Sequence, residues 1–195
     1  MTKQTIELRD FLFRGLMFEA EAGTFQSAGI QVGADARQAE ERLLSEALAP
    51  FDVATRNNAL EMARLYSVLH CFENEVRKLI RETLAEKEGP DWIEKLPVKT
   101  KEFAQNRQKT AFQDSWLEGE KSDLLGFVDF GQLSAIIIEK WASFEDLIPS
   151  QHWLKQRMDE LEKVRNFIAH NRMLLPSEFQ RTYLYIADWN RSVGL

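Results

Sequence analysis

Leu161-Glu162-Lys163-Val164-Arg165-Asn166-Phe167-Ile168-Ala169-His170-Asn171-Arg172 closes a helix whose start is marked just as plainly. Pro149-Ser150 supplies an N-cap. Leu154, Met158, Leu161, Val164 and Ile168 then recur on one face at helical spacing. At about 100° per residue, Arg165 falls within that apolar stripe. A guanidinium there needs a partner, because an unpaired buried charge is very costly. Asn166 follows directly and His170 lies five residues on. A strong base, an amide and an imidazole close together can hold a phosphate and move its protons. The plainer alternative is an arginine paired with a core carboxylate and a histidine capping a helix C-terminus. Arg-x4-His is a short pattern that chance also produces.

The neighbouring stretches are helical too. Pro176-Ser177-Glu178 opens a last helix through about Ser192, with Phe179, Tyr183, Ile186 and Asn190 on one face and Trp189 close by. Aromatic side chains can stack RNA bases, but at this spacing their first use is core packing. Upstream, Asp129 caps a helix whose Leu133, Ile136, Ile137, Trp141 and Phe144 face the core, with Pro149 as its predicted end. The longest element runs from Asp52 to about Glu88, stopped by Gly89-Pro90, with a core stripe of Leu65, Leu69, Phe72, Val76, Leu79 and Leu84. Within it, His70 reads as a packed helical histidine and Cys71 as small core filler. Residues 90–120 mix helical signals with charge, and Gly119 to Gly126 reads as a linker. Toward the N-terminus, Ile6 to Ala20 suits a helix, residues 23–35 a loop, and Ala36 to Leu48 a short helix stopped before Pro50. No stretch alternates with the period of a strand. The expected architecture is all-α: a bundle of four or five main helices over residues 51–195, with an N-terminal helical arm and loop over residues 1–50.

Bulk properties narrow the function. No apolar run approaches a membrane span, and no basic region followed by an apolar core opens the chain. A single cysteine excludes an internal disulfide framework and suits a cytoplasmic location. A net charge of −6 argues against binding nucleic acid over the whole surface, so any RNA contact must be local. The best candidate is the run Lys95, Lys99, Lys101, Arg107 and Lys109, interrupted by one acid, Glu102. Its alternative is a solvated helix face. From Ser150 onward there are seven basic and five acidic residues, so the region holding Arg165 and Arg172 is locally positive.

The chemical inventory excludes several classes. There is no Gly-rich phosphate loop, no His-Glu-x2-His, no Cys-x2-Cys and no nucleophile turn. No carboxylate spacing reads as a metal site, and no cofactor is expected. What remains is metal-free phosphoryl transfer in which the substrate brings its own nucleophile. RNA does so in its 2′-OH. Attack on the adjacent phosphorus leaves a 2′,3′-cyclic phosphate, and DNA, lacking the hydroxyl, is not cut. An imidazole, with its ordinary pKa of about 6.5, serves as base or acid near neutrality. His170 takes that role, Arg165 stabilises charge on the phosphoryl oxygens, and Asn166 orients the phosphate or the imidazole. Glu73 borders the long helix's stripe and has two readings. It can pair with Arg77 one turn on, worth a few tenths of a kcal/mol, or hold Arg165 in position.

Arg165-Asn166-x3-His170 near a helix end resembles the catalytic motif of the HEPN superfamily, the higher eukaryotes and prokaryotes nucleotide-binding domains. Further stretches resemble its branch attached to a nuclear messenger-RNA surveillance endonuclease and found as stand-alone bacterial proteins. They are Phe13-Arg14-Gly15-Leu16, Phe72-Glu73-x2-Val76-Arg77-x2-Ile80, Asp91-Trp92, and Asp129-Phe130-Gly131-Gln132-Leu133 leading to Trp141. The resemblance implies a metal-independent endoribonuclease, often a toxin or anti-phage effector, in which two protomers form one cleft. It also implies an inhibitory antitoxin or a larger defence complex as a further partner. Many family toxins carry a tyrosine two residues after the histidine, modified by an antitoxin that transfers AMP. Arg172 stands there instead, which argues against that route. Some relatives serve without catalysis as dimerisation, recruitment or binding modules, and this is the competing function.

Overall fold

A computed structural model describes Met17, Glu21, Thr24, residues 34–113 and residues 122–194. The chain divides into two compact units, Met1–Asn57 and Asn58–Leu195. In the first, Met17, Glu21 and Thr24 are helical, and α1 spans Ala34–Leu48. Glu21 and Thr24 fall after the expected helix end at Ala20, so helix intrudes on what the glycines suggested was loop. The Phe13-Arg14-Gly15-Leu16 stretch lies outside the described residues. A second helix, α2, spans Val53–Glu88 and crosses the division between the units. Asp52 caps it, its Oδ1 accepting the Thr55 N–H at 3.0 Å and its Oδ2 the Thr55 hydroxyl at 2.6 Å. Those bonds, the hydroxyl's first, hold the Asp52 carboxyl below its ordinary pKa. Gly89, at φ 90°, ends it in a conformation that side chains disfavour.

In the second unit the chain continues through a 3₁₀ turn at Pro90–Lys95, α3 (Val98–Gln113), a 3₁₀ turn at Leu124–Phe127, α4 (Phe130–Glu139), a 3₁₀ turn at Trp141–Ser143, α5 (Gln151–Ala169) and α6 (Pro176–Val193). Among the described residues there is no strand. The expected stripe of α2 is buried at Leu65, Leu69, Phe72, Val76 and Leu84, with Leu79 half-buried at its margin and Ile80, which the expected stripe left out, buried in its place. It meets Phe130, Leu133, Ile136 and Ile137 of α4, Leu154, Met158, Leu161 and Ile168 of α5, and Trp189 of α6 in one core. Each such side chain contributes roughly 1.5–3 kcal/mol on full burial. Phe72 is the hub, 5.9 Å from Phe130 and edge-on to Trp189 at 5.4 Å, while Trp153 stacks on Trp189 at 6.2 Å.

Several expectations give way. His70 and Cys71 are exposed, and Asn74 Nδ2 lies 3.2 Å from His70 Nε2. They sit one and two residues past buried Leu69, about 100° and 200° around the helix and away from the stripe. The segment read as a linker ends in a turn that buries Leu125 completely. The Asp129 helix stops at Glu139 rather than Pro149. Lys140 leaves helical geometry at ψ 28° with its ammonium on Glu88 at 2.9 Å. The chain then turns through Phe144 N–H to Trp141 O at 2.8 Å and Ile148 N–H to Phe144 O at 3.0 Å. Successive turns bury Phe144 and Ile148 as a helix would, and over ten residues their apolar spacing reads alike. In α6 the buried face centres on Thr182 and Trp189, leaving Tyr183 exposed.

At Gly131, in the first turn of α4, a side chain of α5 comes close. A Cβ there would lie 2.8 Å from Glu162 Oε2, so the missing side chain leaves room for that carboxylate. Its charge sits against a helix N-terminus, where an anion is favourable.

Candidate active site

α5 is begun by the Ser150 side chain, which accepts the Trp153 N–H at 3.1 Å. It is ended by a turn made from main-chain bonds. The His170 N–H still donates to Asn166 O at 3.1 Å, so the winding persists to that amide. Beyond it, Asn171 takes the left-handed conformation at φ 56°. Its N–H donates to Ile168 O at 2.8 Å, and the Arg172 N–H to Phe167 O at 3.2 Å. This is the paired closure of a Schellman turn, with asparagine in the place more often given to glycine. Arg165 and His170 therefore leave one unbroken helix, about 140° apart around its axis.

Asn166 lies between them, about 100° from Arg165 and 40° from His170. Arg165 Nη1 donates to Asn166 Oδ1 at 3.1 Å. A guanidinium only donates, so the amide oxygen faces it and the amide NH2 is left to donate elsewhere. The imidazole of His170 is exposed, with no carboxylate within ion-pair distance among the described residues. Arg165 is half-buried. Its Nε is enclosed without a hydrogen-bond partner, 3.8 Å from Glu73 Oε2.

Glu73 faces two arginines. Its Oε1 accepts from Arg77 Nη2 and its Oε2 lies toward Arg165. Arg77 is fixed from behind, Nε donating to Leu125 O at 3.3 Å and Nη2 to Val128 O at 3.2 Å. Side-chain exposure is 12% for Glu73, 13% for Arg77 and 35% for Arg165. Two cations share one anion, so the cluster carries a surplus positive charge, and it is Arg165 that reaches solvent with it. The sequence pattern offered the two pairings of Glu73 as alternatives; both contacts are present. The tie from Arg77 to the Leu124–Phe127 turn had no sequence signal, because its acceptors are main-chain carbonyls.

The basic run on α3 is less free than its composition suggests. Lys101 pairs with Glu94, and Arg107 with Asp129 while covering the Phe103 ring at 4.7 Å. Lys95 donates to Glu88 O at 2.7 Å. Lys99 and Lys109 are exposed and form no ion pair among the described residues. Arg172 is likewise exposed. Among the described residues no three His, Cys, Asp or Glu side chains cluster as metal ligands, and no helix is long and apolar enough to cross a membrane.

Arg165 and Asn166 thus place hydrogen-bond donors side by side, with the exposed imidazole of His170 on the next turn. Compared with known proteins, residues 67–194 match a family model described as Swt1-like HEPN. No curated protein and no solved structure matches the chain.

Proposed function

The chain belongs to the Swt1-like HEPN family, and from that premise we propose that it is a metal-independent endoribonuclease. The observation that carries the reading is the band Arg165–Asn166–His170 around one helix end, joined by the 3.1 Å contact of Arg165 with Asn166. In the proposed reaction, one imidazole removes the 2′-OH proton and that oxygen bonds to the adjacent phosphorus. The phosphorus–O5′ bond breaks, a protonated imidazole supplies the leaving oxygen's proton, and a 2′,3′-cyclic phosphate remains. Arg165, held by Glu73, stabilises the charge building on the phosphoryl oxygens. The Asn166 NH2 orients the phosphate. Lys99, Lys109 and Arg172 contact the phosphate backbone, with Lys101 and Arg107 joining where RNA displaces their carboxylate partners.

The active unit in this reading is a homodimer. Side chains about 140° apart on an unbroken helix do not converge on one phosphate, whereas a twofold axis brings Arg165 of one chain near His170 of the other. It also supplies two imidazoles, one as base and one as acid. Met173, Leu175 and Leu184 remain exposed beyond the motif, apolar surface that a second copy would cover. The biological role we propose is that of a cytoplasmic toxin or anti-phage effector, restrained by an antitoxin or held in a larger defence complex.

The test is to incubate the purified protein with total RNA in excess EDTA and map the ends. Cleavage leaving cyclic phosphates, abolished in His170→Ala, is expected. Activity lost in EDTA and restored by magnesium would overturn the mechanism. RNA binding without cleavage would instead assign a non-catalytic binding module.

A further inference from the structure

Among the described residues of the second unit, three arginines lie over aromatic rings: Arg107 on Phe103 at 4.7 Å, Arg157 on Tyr185 at 4.2 Å and Arg172 on Phe167 at 5.4 Å. Their surroundings differ in one respect. Arg107 is neutralised by Asp129, and Arg157 has Glu160 at 3.7 Å and Asp188 at 3.9 Å. Arg172 has no carboxylate within ion-pair distance among the described residues. The first two complete ion-paired clusters within the fold. The third is a flat cation, exposed, held against a ring with its charge unspent.

The position of that stack is fixed by the turn that ends α5. The Arg172 N–H is bonded to Phe167 O and Asn171 is left-handed, so the chain doubles back and lays the arginine over the ring three residues before His170. On a helix surface, residues three and four apart are neighbours. Asn166 and Phe167 therefore flank His170, the amide on one side and the ring on the other. Around the helix, position 170 thus lies between Asn166 and Phe167, the ring beside Arg172.

An exposed guanidinium beside an aromatic ring offers a flat, cationic surface to a second flat, electron-rich group. RNA bases unstacked from a single strand are such groups, and they stack on arginine planes as on aromatic rings. The unpaired charge adds attraction to the phosphate joined to the same nucleotide. We propose that Phe167 and Arg172 form a nucleobase subsite of the candidate active site. It holds the base of a nucleotide bordering the scissile phosphate and restricts the protein to unpaired RNA. The proposal rests on the ribonuclease reading for its account of why the base sits there, but base binding can be measured without cleavage.

The probes are oligouridylate and oligoadenylate strands, 2′-deoxy throughout for binding and ribose for cleavage, with an abasic nucleotide placed at each position in turn. Wild type should lose about tenfold in affinity, and in kcat/KM through KM, when one abasic position coincides with the subsite. In Arg172→Ala that position-specific difference should vanish. Arg172→Lys should keep the salt-dependent part of binding and still lose the base dependence. Phe167→Leu should weaken the base dependence by releasing the guanidinium. The Arg172 side chain makes none of the turn's bonds, so an unchanged circular dichroism spectrum is expected and reports that the fold is retained.

Equal binding of abasic and intact strands by wild type, or no binding of either homopolymer, overturns the subsite. Full base dependence in Arg172→Lys also overturns it, since charge alone then suffices. Base-dependent binding that Arg172→Ala abolishes, in a protein that cuts nothing, supports the subsite and overturns the ribonuclease reading. Cleavage indifferent to abasic positions does the reverse.

Discussion

Glu73 is the residue on which the candidate site leans hardest, because one carboxylate serves both Arg77 and Arg165. Removing either arginine leaves Glu73 with the other, whereas removing Glu73 takes the carboxylate from both, leaving Arg77 only its main-chain acceptors and Arg165 only Asn166. Arg165→Ala is therefore expected to cost only about 1 kcal/mol, its pairing being partly solvent-screened. Glu73→Gln should cost more, about 2–3 kcal/mol, short of the full penalty of a buried pair because Arg165 reaches water. Urea denaturation of the two variants measures the order, and a Glu73→Gln protein as stable as wild type would contradict the geometry. His170→Ala should leave the melting temperature nearly unchanged, since the side chain is exposed. Tyr185 gives a pH signature away from the site. The Glu160 carboxylate, chiefly as hydrogen-bond acceptor and with burial second, raises the phenol above its ordinary pKa of 10.0. A raised folded pKa means that stability is fully present below the unfolded phenol's pKa and is lost as pH rises through the folded one. Tyr185→Phe should flatten the alkaline limb of a stability–pH curve.

At the scale of elements, the turn after α5 is the joint that sets the motif's geometry. Asn171 at φ 56° tolerates a conformation that most side chains resist. Asn171→Gly should be within a few tenths of a kcal/mol of wild type. Asn171→Val should cost about 1–2 kcal/mol and displace Arg172 from Phe167, readable by denaturation and by loss of RNA affinity. The start of this helix was legible in Pro149-Ser150, and its buried face in Leu154, Met158, Leu161 and Ile168, because caps and period are written locally. The end of α4 was not legible. Phe144 and Ile148 keep a helix-like spacing through turns, and Lys140 departs toward Glu88, a partner on another element. The outward placement of His70 and Cys71 was readable from the wheel, since both lie off the Leu65–Leu69–Phe72 stripe. The Arg107–Asp129 and Lys101–Glu94 pairs were not, and they turn a basic run into partly spent charge. The motif trio was visible as residues, but the contact of Arg165 with Asn166 depends on side-chain direction, which spacing does not give.

For the whole molecule, the proposed dimer makes a mixing prediction. His170→Ala chains retain Arg165, and Arg165→Ala chains retain His170. If the cleft draws one residue from each protomer, a mixed dimer holds one Arg165 and one His170 but a single imidazole, so mixing the two inactive proteins should restore only weak cleavage, in proportion to the mixed dimers formed. Light scattering across the assay's concentration range is the accompanying measurement, and a fully active monomer would exclude the dimer. The division of the chain between Asn57 and Asn58, inside α2, sets a second whole-chain fact. The family match begins at residue 67 and lies entirely within the second unit.

Because main-chain bonds alone close the turn at His170–Arg172, the turn needs neither of the two side chains that chemistry would use there. Positions 170 and 172 can accept residues other than proline and keep the turn's bonds, provided position 171 still accepts its left-handed backbone. Activity and foldability are thus separately heritable. A lineage could lose or change its chemistry in a single codon and keep a working scaffold for some other task.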